Sequence, residues 1–266
     1  MKTSGEEASP PRSRGAFKTA AVVSAVGVLT ATKGKALLVL LKGLKAGPLL
    51  VTMGSMFAMV AFEAQRSSWL FGLGFVLMLL VHELGHAIAI RQAGLAAGYP
   101  VFIPFIGALI TLKEQPRSSL IEARIAMAGP IAGTLAALLM TTFFLVFEHR
   151  IWLALAYTGF FLNLFNLVPL PPLDGGRVAR VFSRRIWILG VALMLGLFLL
   201  SPSPQLAFIG IIALVHAFSS PNREPGPDEG TVSTKDRREV AFTYFGACAF
   251  LALGLLLAGQ LLDPQR

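Results

Sequence analysis

The run Phe75-Val76-Leu77-Met78-Leu79-Leu80-Val81-His82-Glu83-Leu84-Gly85-His86-Ala87-Ile88 sets one carboxylate and two imidazoles inside an otherwise apolar stretch. The spacing is H-E-x-x-H. On a helix, positions four apart share a face, so His82 and His86 can reach one ion. Zinc accepts imidazole nitrogen at about 2.0–2.1 Å, and in hydrolytic sites it keeps a position for water. It lowers the pKa of that water to about 7, and Glu83, beside the first ligand, is placed to take the proton. The plainer alternative is that all three are polar side chains satisfied by neighbouring helices. Inside a membrane such burial is costly without a purpose, which favours the metal.

Two histidines leave a zinc site incomplete. The third ligand falls to Asp174, in Asn166-Leu167-Val168-Pro169-Leu170-Pro171-Pro172-Leu173-Asp174-Gly175-Gly176-Arg177. The three prolines end the preceding span, and Gly175-Gly176 permits close backbone approach. Asp174 would also serve as the N-cap of a helix starting near Gly175. The span count given below decides for ligation, because it ends both segments on the same face of the membrane. His82, His86 and Asp174 then hold one Zn2+ per chain with a coordination position open. Arg91 lies nine residues beyond His82, about 14 Å along a helix. The site therefore sits within the hydrocarbon thickness, nearer one face, and water must reach it by a polar path from that face. Asn163 and Asn166 both suit interhelical hydrogen bonding, and Asn163 is read that way. His216, alone in a later apolar run, reads as a packing histidine.

The elements that must position these residues are membrane spans. Of the 266 residues, 55% are hydrophobic and 14% charged, with mean hydropathy +0.70; a soluble domain needs more charge to cover its surface. No charged residue occurs between Arg185 and Arg223, and a span takes about 20 apolar residues. The fold class is an all-α polytopic membrane protein of six to seven transmembrane helices, at 46–62, 69–90, 122–147, 151–170, 186–201, 204–219 and 240–262. The fifth and sixth are short enough to lie tilted or partly inserted. Residues Tyr99 to Leu112 are apolar but broken by Pro100, Pro104 and Gly107. They predict a re-entrant or short β segment, shielded from lipid by protein.

This reading divides the chain into a basic cytosolic tail (1–45) with an interfacial helix around 36–44, a membrane-embedded core (46–219), a cytosolic loop (220–239) and a last span with a short tail (240–266). The lone Cys248 excludes an intrachain disulfide. A net charge of +9 would suit nucleic acid, but its distribution follows topology instead. With the N-terminus in the cytoplasm, twenty Lys and Arg fall inside and three (Arg66, Arg150 and Arg266) outside, as the positive-inside rule requires. The partners are thus the lipid bilayer and not nucleic acid; oligomeric state is left open. Trp69, Trp152 and Trp187 fall at span ends, as interfacial anchors do.

The pair His-Glu-Leu-Gly-His and Asn-Leu-Val-Pro-Leu-Pro-Pro-Leu-Asp-Gly-Gly resembles the site-2 protease family of intramembrane zinc metalloproteases, over about residues 46–219. The resemblance implies zinc ligation by His82, His86 and Asp174, with Glu83 as catalytic base. It also implies a substrate or oxyanion contact at Asn166, eight residues before the aspartate, and a single-span membrane protein as substrate. A bacterial cell membrane is the expected location, with the site toward the cytoplasm. One feature departs from the family: its third span often carries Gly-Pro-x-x-Asn, whereas this chain reads Gly129-Pro130-Ile131-Ala132-Gly133. The asparagine is absent or moved, and the small residues are left to close helix packing. Two rivals remain: an inactive relative that binds membrane helices as an adaptor, and a metal transporter. The presence of all four core residues weighs against the first. Ligands clustered at one depth, without repeats, weigh against the second.

Overall fold

The computed structural model describes residues 47–104, 107–110, 114, 116–183, 185–200, 202, 204–219 and 232–263. The basic tail, its interfacial helix and residues 220–231 of the expected cytosolic loop lie outside the described residues. Residues 1–50 and 51–266 form separate units, and of the first only residues 47–50 are described. The elements in order are α1 (Gly47–Arg66), α2 (Trp69–Gln92), β1 (Val101–Ile103), β2 (Gly107–Leu109), α3 (Ser119–Phe147), α4 (Arg150–Asn166), α5 (Asp174–Ala179), α6 (Ile186–Leu200), α7 (Pro204–Ser219) and α8 (Thr234–Leu262).

Among the described residues, α1, α2, α3 and α8 are long and apolar enough to cross a membrane. Of the expected six to seven spans, four thus meet the measure of length and composition. The expected span 151–170 becomes α4, which stops at Asn166 after 17 residues because prolines at 169, 171 and 172 cannot extend a helix. Helix α8 differs in the other direction. It begins at Thr234, so 234–239, expected as loop, is helical. Ser233 starts it by accepting a hydrogen bond from the Asp236 amide at 3.1 Å, an N-cap interaction that satisfies one free donor of the first turn. Ser68 and Ser118 cap α2 and α3 in the same way.

The expected β segment is an antiparallel hairpin, with Val101 opposite Leu109 and Ile103 opposite Gly107. Two polar residues of α1 hold it. Thr52 Oγ1 donates to the Pro100 carbonyl at 2.7 Å, and the Phe102 amide donates to Ser55 Oγ at 3.1 Å. The Phe102 ring packs on Met59, Val76 and Leu79, so one side of the hairpin is buried against α1 and α2.

Helix α2 shows how an apolar helix acquires a direction without a polar face. Leu73, Leu77, Val81, Leu84 and Ile88 are exposed along one side, spaced three or four residues apart as one helical stripe requires. Val76, Leu79, His82, Glu83, His86 and Ile90 are buried on the other. The exposed stripe is the lipid side of an integral membrane protein. The main core lies between α3, α4 and α8, around Ala137, Leu153, Ala156, Phe160, Tyr244 and Leu251. Helix α8 is clamped at both ends: Arg124 of α3 lies 3.7 Å from Asp236, and Arg150 Nη2 of α4 donates to the Leu262 carbonyl at 2.6 Å.

Candidate metal centre

Helix α2 supplies His82 and His86 on adjacent turns, and α5 supplies Asp174 at its first residue. Asp174 is thus not the N-cap that sequence allowed: Leu173 takes that position and makes no side-chain cap. The Asp174 carboxylate is free to turn toward the imidazoles. His82 Nε2 lies 3.3 Å from Asp174 Oδ2, His86 Nε2 lies 3.1 Å from the same oxygen, and the two Nε2 atoms are 3.1 Å apart. All three residues are buried. Ligands around tetrahedral zinc, at bonds of about 2.0–2.1 Å, stand about 3.3–3.4 Å from one another. The three donor atoms fit that spacing with little adjustment, and they form the one such group among the described residues.

The outer nitrogens of the rings are also engaged. His86 Nδ1 lies 2.8 Å from the Ile125 carbonyl oxygen, which can only accept, so Nδ1 carries the proton. His82 Nδ1 lies 2.8 Å from Asn163 Oδ1. In neutral imidazoles both Nε2 atoms are then unprotonated. With both rings neutral, two nitrogen lone pairs and a carboxylate oxygen converge, an arrangement that a bound cation would stabilise.

Helix α3 makes room for this centre by presenting glycine. A side chain at Gly129 would meet His86 Nε2 and His82 Nε2, and one at Gly85 would meet the Ala128 carbonyl. The close packing expected of the Gly129–Gly133 stretch is present. Gly175 and Gly176 serve the aspartate: a Cβ on the first would strike the Leu167 carbonyl, and on the second the backbone of Leu170 and Pro171.

Beside the imidazoles lies a cavity of about 90 Å³, lined by Glu83, Asn166, Asp174, Arg177 and, from the hairpin side, Ala108 and Ile110. Glu83 and Asn166 therefore share one small space with two of the three candidate ligands. The Arg177 guanidinium stands 3.9 Å from Asp174 Oδ1, and Arg180 binds both oxygens of Glu122 at 2.8 and 3.0 Å, fastening α5 to the start of α3.

Three residues hold the site in ways the sequence did not reveal. Asn163 is interhelical, as read, but its partner is a candidate ligand. Trp187, expected as an interfacial anchor, donates its indole N–H to the Gly176 carbonyl at 3.2 Å. Tyr244 of α8 donates its hydroxyl to the Leu167 carbonyl at 2.5 Å. No local pattern marks any of these: Asn163 and Tyr244 act across 81 and 77 positions, and Trp187 reaches from the start of α6 back to α5.

A membrane-embedded helix bearing H-E-x-x-H, completed by an aspartate from a Pro-Gly loop, places the chain among membrane proteins with a candidate hydrolytic metal centre. Comparison with known families agrees: peptidase family M50 matches residues 70–149 and 148–200. The chain belongs to this family, the site-2 protease family. Similar curated proteins include Rip3 of Mycobacterium tuberculosis, which carries the name of a zinc metalloprotease. The identity is 36% over 131 residues, covering 44% of this chain and 33% of Rip3. Zinc metalloprotease MJ0392 of Methanocaldococcus jannaschii is 34% identical over 116 residues, covering 42% of this chain and 33% of its own length. The alignments thus span about a third of these relatives. The family match holds every residue of the candidate site but excludes α1, α7 and α8.

Proposed function

We propose that the protein is a zinc-dependent intramembrane endopeptidase that hydrolyses peptide bonds within or near the transmembrane segments of single-span membrane proteins. One observation carries this reading: three donor atoms stand at 3.1–3.3 Å separations, and two of their residues, His86 and Asp174, line a cavity together with Glu83. His82, His86 and Asp174 would hold the metal. Bound there, zinc supplies Lewis acidity toward the scissile carbonyl and lowers the pKa of an attacking water. Glu83 takes the proton from that water and delivers it to the leaving amine. Asn166, on the cavity wall, is placed to donate to the substrate carbonyl. A substrate helix must unwind before cleavage, and each freed backbone group then needs a partner. The edge of the β1–β2 hairpin, which borders the cavity, can supply it by pairing with the extended chain.

Topology supports the same reading. Helix α4 starts beyond the far end of α3, and its C-terminal loop returns to the histidines, so α4 crosses the same thickness as α2. With α6 and α7 as a tilted pair, this gives the six to seven crossings that sequence suggests. The Lys and Arg distribution puts the N-terminus in the cytoplasm, in a bacterial cell membrane, with the centre opening toward that side.

The test uses proteoliposomes holding the whole chain and a panel of single-span substrates. Glu83→Gln should abolish cleavage while zinc per chain stays at the wild-type value. Cleavage that persists in this variant would remove Glu83 as the base. Zinc-free, folded wild type would remove the metalloprotease reading itself and leave a helix-binding adaptor.

A further inference from the structure

We propose that Asn163, seated in the space left by Gly133, is the positioning residue that fixes the ring orientation and proton placement of His82. The inference rests on the metal reading above and adds a residue whose part in the centre has no counterpart in the motifs.

The two histidines are supported unequally. His86 leans on a backbone carbonyl, that of Ile125, which no substitution removes. His82 leans on a side chain alone. The orientation of the Asn163 amide is set by its other contact, because Nδ2 donates to the Gly159 carbonyl at 2.7 Å. A flipped amide would place oxygen against oxygen there. Oδ1 must therefore face His82, and Oδ1 has no proton to give, so His82 Nδ1 is the donor. The Nε2 lone pair is left directed at Asp174 and His86, where an ion would be held. Asn163 is itself buried, at 5% exposure.

Gly133 makes the arrangement possible. A Cβ at residue 133 would fall on Asn163 Oδ1 and within 2.6 Å of its Cγ and Nδ2. The amide of α4 occupies the volume that a side chain of α3 would otherwise fill. Two positions on different helices thus form one device, and disturbing either should have the same consequence.

The experiment measures zinc affinity by chelator competition on the full-length protein in detergent, together with the imidazole tautomers by 15N NMR of histidine-labelled samples. Asn163→Leu keeps the volume and removes the acceptor. Loss of a partner to a ligating histidine typically weakens metal binding about 10–100-fold, and that is the expected result. The metal-free spectrum should lose the fixed Nδ1–H form of one histidine. Gly133→Ala, with Asn163 intact, should reproduce both changes by displacing the amide. Unchanged affinity and tautomer in Asn163→Leu overturn the proposal. So does a loss of zinc affinity in Asn163→Leu with the Nδ1–H form of both histidines intact, since this assigns Asn163 to packing alone. Absence of zinc from folded wild type overturns the metal reading first and this proposal with it, whereas zinc-loaded wild type with an indifferent Asn163→Leu overturns only the proposal.

Discussion

His82 and His86 take their relative position from a single helix, whereas Asp174 takes its position from four separate elements. Along α2, one unbroken run of 24 residues puts the two rings on consecutive turns of the buried face, and only their outer nitrogens need support. The segment 167–173 has no such ladder. Its course is set by short turns such as Leu170 N to Val168 O and Leu173 N to Leu170 O, by Tyr244 of α8, by Trp187 of α6, and by the Glu122–Arg180 pair between α3 and α5. The difference is one of redundancy. A regular helix fixes ligand spacing through every backbone bond it contains, while the loop depends on a few contacts that can be removed singly. The histidine half should fail by intrusion or by loss of the one side chain, Asn163, that supports His82, and the aspartate half by disturbance of any of several contacts.

The largest effect is expected where intrusion is possible. Gly129→Ala places a methyl group against both Nε2 atoms, and overpacking of this kind typically costs about 1–3 kcal/mol. Zinc per chain should fall to background while helical content by circular dichroism stays unchanged. Normal zinc loading would mean that α3 can withdraw, contrary to the close crossing at Gly85. Next comes Gly175→Ala, whose methyl would meet the Leu167 and Val168 carbonyls. The aspartate should shift and zinc affinity should drop about 10–100-fold, with the two histidines still able to bind a softer or weaker ion. If Gly175→Ala and Gly129→Ala lose zinc equally, the proposed asymmetry between the two halves is wrong.

That asymmetry also explains what could be read from the sequence. His82, Glu83 and His86 were legible because helical periodicity converts spacing directly into geometry. Asp174 was legible as a residue type in a Pro-Gly setting, although its role as first residue of α5 rather than N-cap was not. That 99–112 is not a spanning helix followed from its prolines and glycine; the sequence left a re-entrant and a short β segment equally open, and the hairpin came from the structure. Asn163, Tyr244 and Trp187 were not legible in their actual roles, since a tyrosine 77 positions from its acceptor carries no local signature. The end of the fourth expected span was less legible for a related reason: hydropathy measures apolar length, and α4 stays helical only until the prolines that build the site.

Tyr244→Phe tests the longest-range support. It leaves the Leu167 carbonyl without its donor, and an unsatisfied buried acceptor costs about 1–3 kcal/mol. Thermal unfolding in detergent should move down, and cleavage should weaken while zinc binding survives in part. Since α8 lies outside the family match, a loss of activity here would show that this chain recruits its last helix to hold the aspartate loop. Unchanged stability and turnover would reduce α8 to a lipid-facing cover.

The smallest effect is expected at Trp187. Its indole hydrogen bond to Gly176 is long, at 3.2 Å, and the side chain is half-buried, so Trp187→Phe should cost no more than about 0.5–1.5 kcal/mol. Phenylalanine keeps the aromatic body at the start of α6 but cannot donate. An interfacial anchor would tolerate that change with no effect on the centre, because its contribution lies in where the ring sits relative to the bilayer. A support of α5 would not: zinc affinity should fall by a small but measurable factor, and the fall should be less than additive when combined with Gly175→Ala, since both act on Asp174 through the same few residues. Additive effects would return Trp187 to the membrane surface and leave the aspartate loop with one support fewer than the geometry assigns.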